Sequence, residues 1–214
     1  MSILKKKYIL FISDNPLPER SKIAFGAATF IPDDCVGYCG YNPQISLPNL
    51  DLVKLEDAVS KGAQSFVIGS LAPKGATEKS WTPYIERAME LGLDIINGHH
   101  ERLEGIQNDK GETLGDLAQK YGVVLHNIRH YDKPIPIGTG KPRDGKRLLT
   151  VGTDCSSGKM FTTLALEKFC KQESLDYSFL ATGQTGILIT GDGIGLDTVP
   201  ADFIAGAIEY LSPK

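Results

Sequence analysis

Short apolar segments alternate with helix-like segments along the first two thirds of the chain, and this alternation restricts its fold most. Turn-forming residues bound each apolar segment, as in buried strands. The predicted strands are 8–13, 35–39, 65–69, 93–97 and 123–127. The predicted helices between them are 19–29, 52–61, 82–91 and 113–120. Such alternation predicts an α/β domain, a parallel sheet with helices on both faces.

A segment rich in proline and glycine follows this first domain. Residues 131–145 contain three prolines and three glycines, which neither a helix nor a sheet interior tolerates. The predicted organisation is a first α/β domain (1–130), a linker (131–146) and a second α/β domain (147–214). In the last domain the predicted elements are strands 147–151 and 177–181, helix 159–170, an apolar segment 187–189 and a final helix 202–211.

Composition excludes several classes of function. The net charge is −3, which argues against a protein that binds nucleic acid or a membrane surface by electrostatics. No segment approaches the roughly 20 apolar residues that span a bilayer. The four cysteines form no CxxC pair, and no zinc-ligand spacing is present, so we expect reduced thiols, no metal site and a cytoplasmic protein. Glycine is in excess, at 23 residues, which indicates tight turns.

A glycine-rich loop follows the predicted strand 147–151 and opens the predicted helix 159–170. This is the context of a phosphate-binding loop, in which backbone N–H groups, the helix N-terminus and a lysine face an anion. The predicted cofactor-binding residues are Gly152, Thr153, Asp154, Cys155, Ser156, Ser157, Gly158, Lys159 and Met160. Five residues separate Gly152 from the Gly-Lys pair, one more than in the common form, and this version resembles the loop of dethiobiotin synthetase-like enzymes.

Met160 stands where P-loop nucleotide hydrolases have a serine or threonine that holds Mg²⁺. A thioether is a poor ligand for a hard cation. The loop therefore favours anchoring a phosphate-bearing cofactor over ATP hydrolysis.

One further cluster is predicted to lie near this loop. Gln184, Thr185 and Gly186 follow the predicted strand 177–181, and ligands of open α/β sheets bind at the carboxyl ends of strands. Their polar groups suit a carboxylate or amide, although a plain polar turn explains them equally well. Asp202 is either a helix cap or a carboxylate in the same crevice.

These motifs together resemble the D-glutamate N-acetyltransferase family, long described as a domain of unknown function. The resemblance runs through 149–160, including Met160, and continues through 181–186 and 202–209, with a looser match at 98–103. It implies a Rossmann-like domain joined to a P-loop domain. It also implies an enzyme of D-amino acid metabolism that transfers acetyl from acetyl-CoA to the amino group of D-glutamate.

Acetyl transfer needs a base for the substrate ammonium and donors for the tetrahedral oxyanion. Asp192, Asp197 and Asp202 are the predicted bases, and backbone N–H groups at 185–186 the predicted oxyanion donors. A histidine acting as acid or base stays open. A dicarboxylate substrate also needs a basic partner. Arg102, Arg129 and Lys141 are candidates, and Arg102 is the prediction.

Other functions remain open at this point. One alternative is an ATP- and Mg²⁺-dependent ligase or kinase of the dethiobiotin synthetase-like class, and another is a non-catalytic nucleotide-binding protein. Residues 147–214 supply few elements for a sheet, and the family continues past this length. We therefore expect an incomplete P-loop domain, either in a fragment or in a homo-oligomer that another chain completes. The expected partner is a small amino acid substrate, with no nucleic acid and no membrane.

Overall fold

The structure, a computed structural model, describes residues 4–72, 77–154 and 156–212. The chain divides into two compact units, Met1–His130 and Tyr131–Lys214.

The first unit is built around a five-stranded parallel sheet in the order β2-β1-β3-β4-β5. Its strands are β1 (Tyr8–Ile12), β2 (Cys35–Gly40), β3 (Ser65–Ile68), β4 (Asp94–Asn97) and β5 (Leu125–Asn127). Every residue of β1, β3 and β4 is buried. Burial of this kind is typical of a parallel sheet with both faces covered, and it explains the unbroken apolar runs in the sequence. The α/β prediction is confirmed.

In the described part of the first unit, four α-helices accompany this sheet, each close to its predicted range. They are α1 (Lys22–Phe30), α2 (Leu55–Ser60), α3 (Thr82–Glu90) and α4 (Leu114–Tyr121). Local signals set the ends of α4: the Thr113 hydroxyl accepts the N–H of Asp116 at 3.1 Å, and Gly122 ends the helix in the left-handed region. Only these short signals and an apolar face are needed for such helices, so the sequence predicts them well.

The strand order places a switch in winding direction between β1 and β3. From β1 the chain crosses to β2 on one side, and β3, β4 and β5 follow on the other side. In such sheets the carboxyl ends of the two strands at the switch border a crevice. Gly69, just after β3, lets α1 approach: a Cβ there would lie 2.6 Å from the Cβ of Ala24.

An aromatic cluster forms part of the core beside the sheet. The Phe11 ring lies 5.5 Å from Phe66, 5.7 Å from Trp81 and 5.2 Å from Tyr84, between centroids. Aromatic pairs at these separations add to the burial of apolar area. The cluster ties α3 and the short helical turn before it to β1 and β3.

The described residues of the second unit form three α-helices, α5 (Lys159–Gln172), α6 (Gln184–Thr190) and α7 (Ile204–Leu211). The segment predicted as a linker packs within this unit. The Glu209 carboxylate on α7 accepts the backbone N–H groups of Thr139 and Gly140 at 2.9 and 2.7 Å, and the Arg143 guanidinium donates to the Glu209 carbonyl. Residues 139–143 are therefore a strap on α7 rather than a free connection.

The strands predicted in the second unit are wrong. Among its described residues, 131–154 and 156–212, there is no strand, and the apolar segment 187–189 lies inside α6. Leu149 and Val151 are 84% and 81% exposed, so these apolar side chains of the segment predicted as its first strand are not buried. A strand needs a paired neighbour for its backbone groups, and two short segments do not make a stable sheet.

Two further findings concern the environment of the chain. Within the described ranges, no helix has the length and apolarity that crossing a membrane requires. Cys35, Cys39 and Cys170 are free thiols, and burial raises the pKa of Cys35 and of Cys39 to about 12.

Candidate functional site: a glycine-rich loop at a helix N-terminus

The glycine-rich loop leads directly into α5, as predicted. Gly158, immediately before the helix, has φ of 88°, which a residue with a side chain rarely adopts, and Ser156 has φ of 57°. These two left-handed residues turn the chain sharply into the first turn of α5. Gly152, Thr153 and Asp154 are exposed. Cys155, predicted as a cofactor-binding residue, lies outside the described residues.

Lys159 folds back over its own loop. Its Nζ donates to the carbonyl oxygen of Asp154 at 2.6 Å and to Oγ of Ser157 at 3.1 Å. The Ser157 hydroxyl donates to the same Asp154 carbonyl at 3.0 Å. The ammonium therefore lies beside the first turn of α5, whose backbone N–H groups carry a partial positive charge. Charge and geometry together suit a phosphate.

The hydroxyl groups near Met160 are engaged with the backbone. Thr162 Oγ1 donates to the carbonyl of Gly158 at 3.1 Å, and Thr163 Oγ1 donates to that of Lys159 at 2.8 Å. Thr150 Oγ1 lies 2.9 Å from the Thr163 hydroxyl and 3.2 Å from the same Lys159 carbonyl. Since Met160 offers only a thioether, the described part of this loop presents a weak donor set for Mg²⁺.

Gln184, Thr185 and Gly186 lie in the first turn of α6 rather than in a turn after a strand. Thr185 and Gly186 are buried within the unit. A Cβ on Gly186 would lie 3.1 Å from the Phe179 ring, so the close packing of residue 179 explains this glycine. The carboxyl-end argument that singled out these residues fails, because residues 177–181 are not a strand.

The three predicted acid–base residues lie at separate points near the end of the second unit. Asp192 follows α6, where its backbone N–H and carbonyl both bond the Thr190 hydroxyl. Asp197 and Asp202 lie in two short 3-10 helices, Leu196–Thr198 and Ala201–Phe203. All three side chains are exposed.

Arg102 belongs to the first unit. It lies in the segment between β4 and α4, is exposed, and directly precedes the short helix Leu103–Gly105. Its backbone position is therefore set by the elements of the first unit.

The structure also brings together three residues that the sequence did not combine. His99, just after β4, is completely buried; its Nε2 lies 2.8 Å from the carbonyl oxygen of Ser70, and its Nδ1 lies 3.0 Å from the hydroxyl of Thr77. Burial lowers the pKa of His99, so its imidazole is neutral near pH 7. Ser70 and His99 both follow predicted strands, a signal that could have paired them. Thr77 carries no such signal.

Comparison with known proteins agrees with this architecture. Residues 44–131 match the Rossmann-like N-terminal domain of DUF1611, a family of unknown function. Residues 136–214 match the P-loop domain of the same family. The chain belongs to the DUF1611 family. The resemblance noted from the sequence is thereby confirmed, and the strap at 139–143 falls within the P-loop match.

Two relatives and one crystal structure are similar to this DUF1611 chain over nearly its whole length. A D-glutamate N-acetyltransferase of Pseudoalteromonas is 42% identical over 98% of the chain, and another of Tritonibacter scottomollicae is 42% identical over 99%. The crystal structure of a DUF1611 protein from Anabaena variabilis superposes with a TM-score of 0.78 at 29% identity, covering 96% of the chain. The chain spans 62% of the length of the two named relatives and 61% of the Anabaena protein.

Proposed function

We propose that this chain carries the cofactor anchor of an N-acetyltransferase that moves acetyl from acetyl-CoA to the amino group of D-glutamate or a similar small acidic amino acid. The observation that carries the proposal is the loop 152–159 with Lys159 folded over it and Met160 beside it. Relatives named D-glutamate N-acetyltransferase, 42% identical, support the reaction class.

Coenzyme A presents a pyrophosphate and a 3′-phosphate, and this loop has the groups to hold one of them. An arriving phosphate replaces the Asp154 carbonyl as the partner of the Lys159 ammonium. The exchange is favourable because a charged acceptor forms a stronger hydrogen bond with the ammonium than a carbonyl does. The first-turn N–H groups of α5 complete the anion site.

Acetyl transfer, unlike phosphoryl transfer, needs no metal at the phosphates. P-loop kinases and hydrolases use Mg²⁺ to neutralise charge that develops on the transferred group, whereas here the phosphates stay intact and serve only as a handle. Met160 and the engaged hydroxyls of Thr162 and Thr163 fit this use. They argue against the alternative of an ATP-dependent ligase or kinase.

At the acetyl group, the reaction requires that the substrate ammonium lose a proton before nitrogen attacks the thioester carbonyl. Asp192, Asp197 and Asp202 are our proposed bases, and Arg102 the proposed partner of a substrate carboxylate. Because all four side chains are exposed, binding of the substrate must supply the dry environment in which a carboxylate becomes an effective base.

Calorimetric titration tests the anchor. We expect CoA to bind with the same affinity in Mg²⁺ and in EDTA. Comparison of the affinities of CoA, dephospho-CoA and inorganic pyrophosphate shows which phosphate the loop holds. Absence of CoA binding at millimolar concentration would overturn the proposal. ATP binding that requires Mg²⁺, with release of phosphate in the presence of an amino acid, would support the ligase or kinase instead.

The reaction itself is tested by release of free CoA thiol from acetyl-CoA with D-glutamate, L-glutamate or D-aspartate as acceptor. Substitution of Asp192, Asp197 and Asp202 by Asn, one at a time, assigns the base. Substitution of the true base should lower kcat and leave the affinity for CoA unchanged. If no acceptor releases thiol although CoA binds, the chain binds the nucleotide without catalysing the transfer.

A further inference from the structure

We propose that Thr77 in the first unit is a nucleophile that accepts acyl groups, with His99 as its general base and the carbonyl of Ser70 orienting the imidazole. All three residues belong to the first unit, and the proposal does not rest on acetyl-CoA as the cofactor. The substrates it fits are small activated acyl esters and thioesters.

Hydrogen bonding settles the direction of proton transfer at this site. A carbonyl oxygen only accepts, so the 2.8 Å contact with Ser70 requires the proton of His99 to be on Nε2. Nδ1 then carries a lone pair and accepts the hydroxyl proton of Thr77 at 3.0 Å. The order hydroxyl, imidazole and fixed acceptor is that of an activated nucleophile with an oriented base.

Neighbouring groups hold the imidazole in this orientation. The backbone N–H of His99 donates to Oδ1 of Asn97 at 2.9 Å, and the Trp81 ring lies 5.8 Å from the imidazole, between centroids. Ser70 is held in turn, because its hydroxyl accepts the N–H of Ser13 at 2.8 Å and lies 2.9 Å from the Ser21 hydroxyl. The base is therefore fixed by the ends of β1, β3 and β4.

Exposure differs between the two reacting groups in the way a nucleophile and its base require. His99 is completely buried, whereas Thr77 is half-buried, so a reagent from solvent reaches the hydroxyl before the imidazole. The backbone N–H of Thr77 donates to Oε2 of Glu101 at 3.2 Å. Because a carboxylate occupies that donor, the site depends on a good leaving group, which excludes amides and simple esters.

The chemical step conserves atoms and charge. Thr77 Oγ bonds to the acyl carbon of the ester while its proton moves to Nδ1 of His99. The bond between the acyl carbon and the leaving oxygen or sulfur then breaks, and the leaving group departs with the electron pair. The products are an O-acyl threonine and an alcohol or thiol, which takes up the proton that His99 gives back.

The test uses p-nitrophenyl acetate, an activated ester without a phosphate, on the whole chain. We expect p-nitrophenolate release together with a single acetyl group on the peptide that contains residue 77. Thr77→Val, which keeps the shape and removes the hydroxyl, should abolish that label, and Thr77→Ser should keep it. Ser80→Ala, which removes a nearby exposed hydroxyl, is the matched control. His99→Gln should slow labelling about 100-fold or more.

The pH profile separates a catalytic hydroxyl from a structural one. Labelling of Thr77 should fall in acid as His99 is protonated, in a range that its charged neighbours Glu101 and Arg129 and the adjacent His100 also influence. Equal labelling of residue 77 with and without His99, or an acetyl group only on lysines or cysteines, overturns the proposal. Thr77→Val should unfold in urea at the same midpoint as the parent chain, which shows that the first unit is folded. This readout does not use CoA, so the result stays distinct from the proposed function.

Discussion

The ammonium nitrogen of Lys159 lies 2.6 Å from the carbonyl oxygen of Asp154, in the loop that precedes its own helix. Lys159 is half-buried, and a hydrogen bond between groups that water reaches adds little to stability. The bond keeps the positive charge of Lys159 beside the N-terminus of α5. An anion there is stabilised both by the ammonium and by the helix N-terminus. In the proposed function, these groups are thus in place before the phosphate binds.

Lys159→Ala should weaken CoA binding about 10- to 100-fold, the loss expected for one charge-assisted hydrogen bond. Lys168→Ala, an exposed lysine on the same helix, is the control and should leave the affinity unchanged. Calorimetry of both variants measures the difference. An equal loss in the two would mean that general positive charge, rather than the loop, attracts CoA.

Met160→Ser should make nucleotide binding responsive to metal. The substitution places a hydroxyl directly after Lys159, where P-loop hydrolases hold Mg²⁺. We expect ATP to bind about tenfold more tightly with Mg²⁺ than without it in this variant, and CoA binding to stay unchanged. Met160→Leu controls for the loss of the thioether. If Mg²⁺ changes ATP binding equally in the serine and leucine variants, Met160 has no part in excluding the metal.

A buried ionic cluster in the first unit predicts how stability depends on pH. Burial alone would raise the pKa of Asp94, but the N–H of Val124, Lys5 Nζ at 2.9 Å and His126 Nε2 at 3.4 Å together lower it. For His126, burial outweighs the attraction of Asp94 and lowers the pKa below its ordinary 6.5. The folded state therefore keeps His126 neutral at pH values where the unfolded chain is protonated.

The free energy of unfolding should consequently fall as the pH drops below 6.5, by up to about 1.4 kcal/mol per pH unit for one proton. A further loss should follow below the ordinary pKa of 3.8, as the Asp94 carboxylate is protonated. Urea unfolding at a series of pH values measures this. His126→Gln should flatten the first fall and keep a smaller second fall, because the N–H of Val124 and Lys5 still lower the pKa of Asp94. An unchanged profile would contradict the assignment.

Gly69→Ala should destabilise the first unit by about 1–3 kcal/mol, the usual cost of forcing an extra group into a packed interior. The new methyl would meet Cβ of Ala24 at 2.6 Å and the Phe11 carbonyl at 2.8 Å. Gly105→Ala is the control, because a Cβ there has no neighbour within 4 Å. Urea unfolding of the two variants compares them; similar stabilities would show that α1 shifts freely.

Prediction from the sequence succeeded where local pattern is enough. The five strands of the first unit and helices α3, α4 and α5 lie close to their predicted bounds, because apolar runs, Thr113 as a cap and Gly158 before Lys159 act over a few residues. It failed at 147–151 and 177–181, which have the composition of strands and no strand beside them among the described residues. A strand forms only where a neighbouring strand pairs with it, and the composition of a segment does not indicate whether such a neighbour is present.

The same distinction between local pattern and tertiary contact applies to the two candidate sites. The sequence by itself determined the glycine-rich loop, its lysine and the methionine that follows, since these residues are contiguous and lead directly into α5. Only the tertiary structure decided that Ser70, Thr77 and His99 meet, because two of them follow neighbouring strands of a parallel sheet and the third is in the segment after β3. Hydrogen bonds between residues that far apart depend on strand order, and strand order is a property of the folded chain.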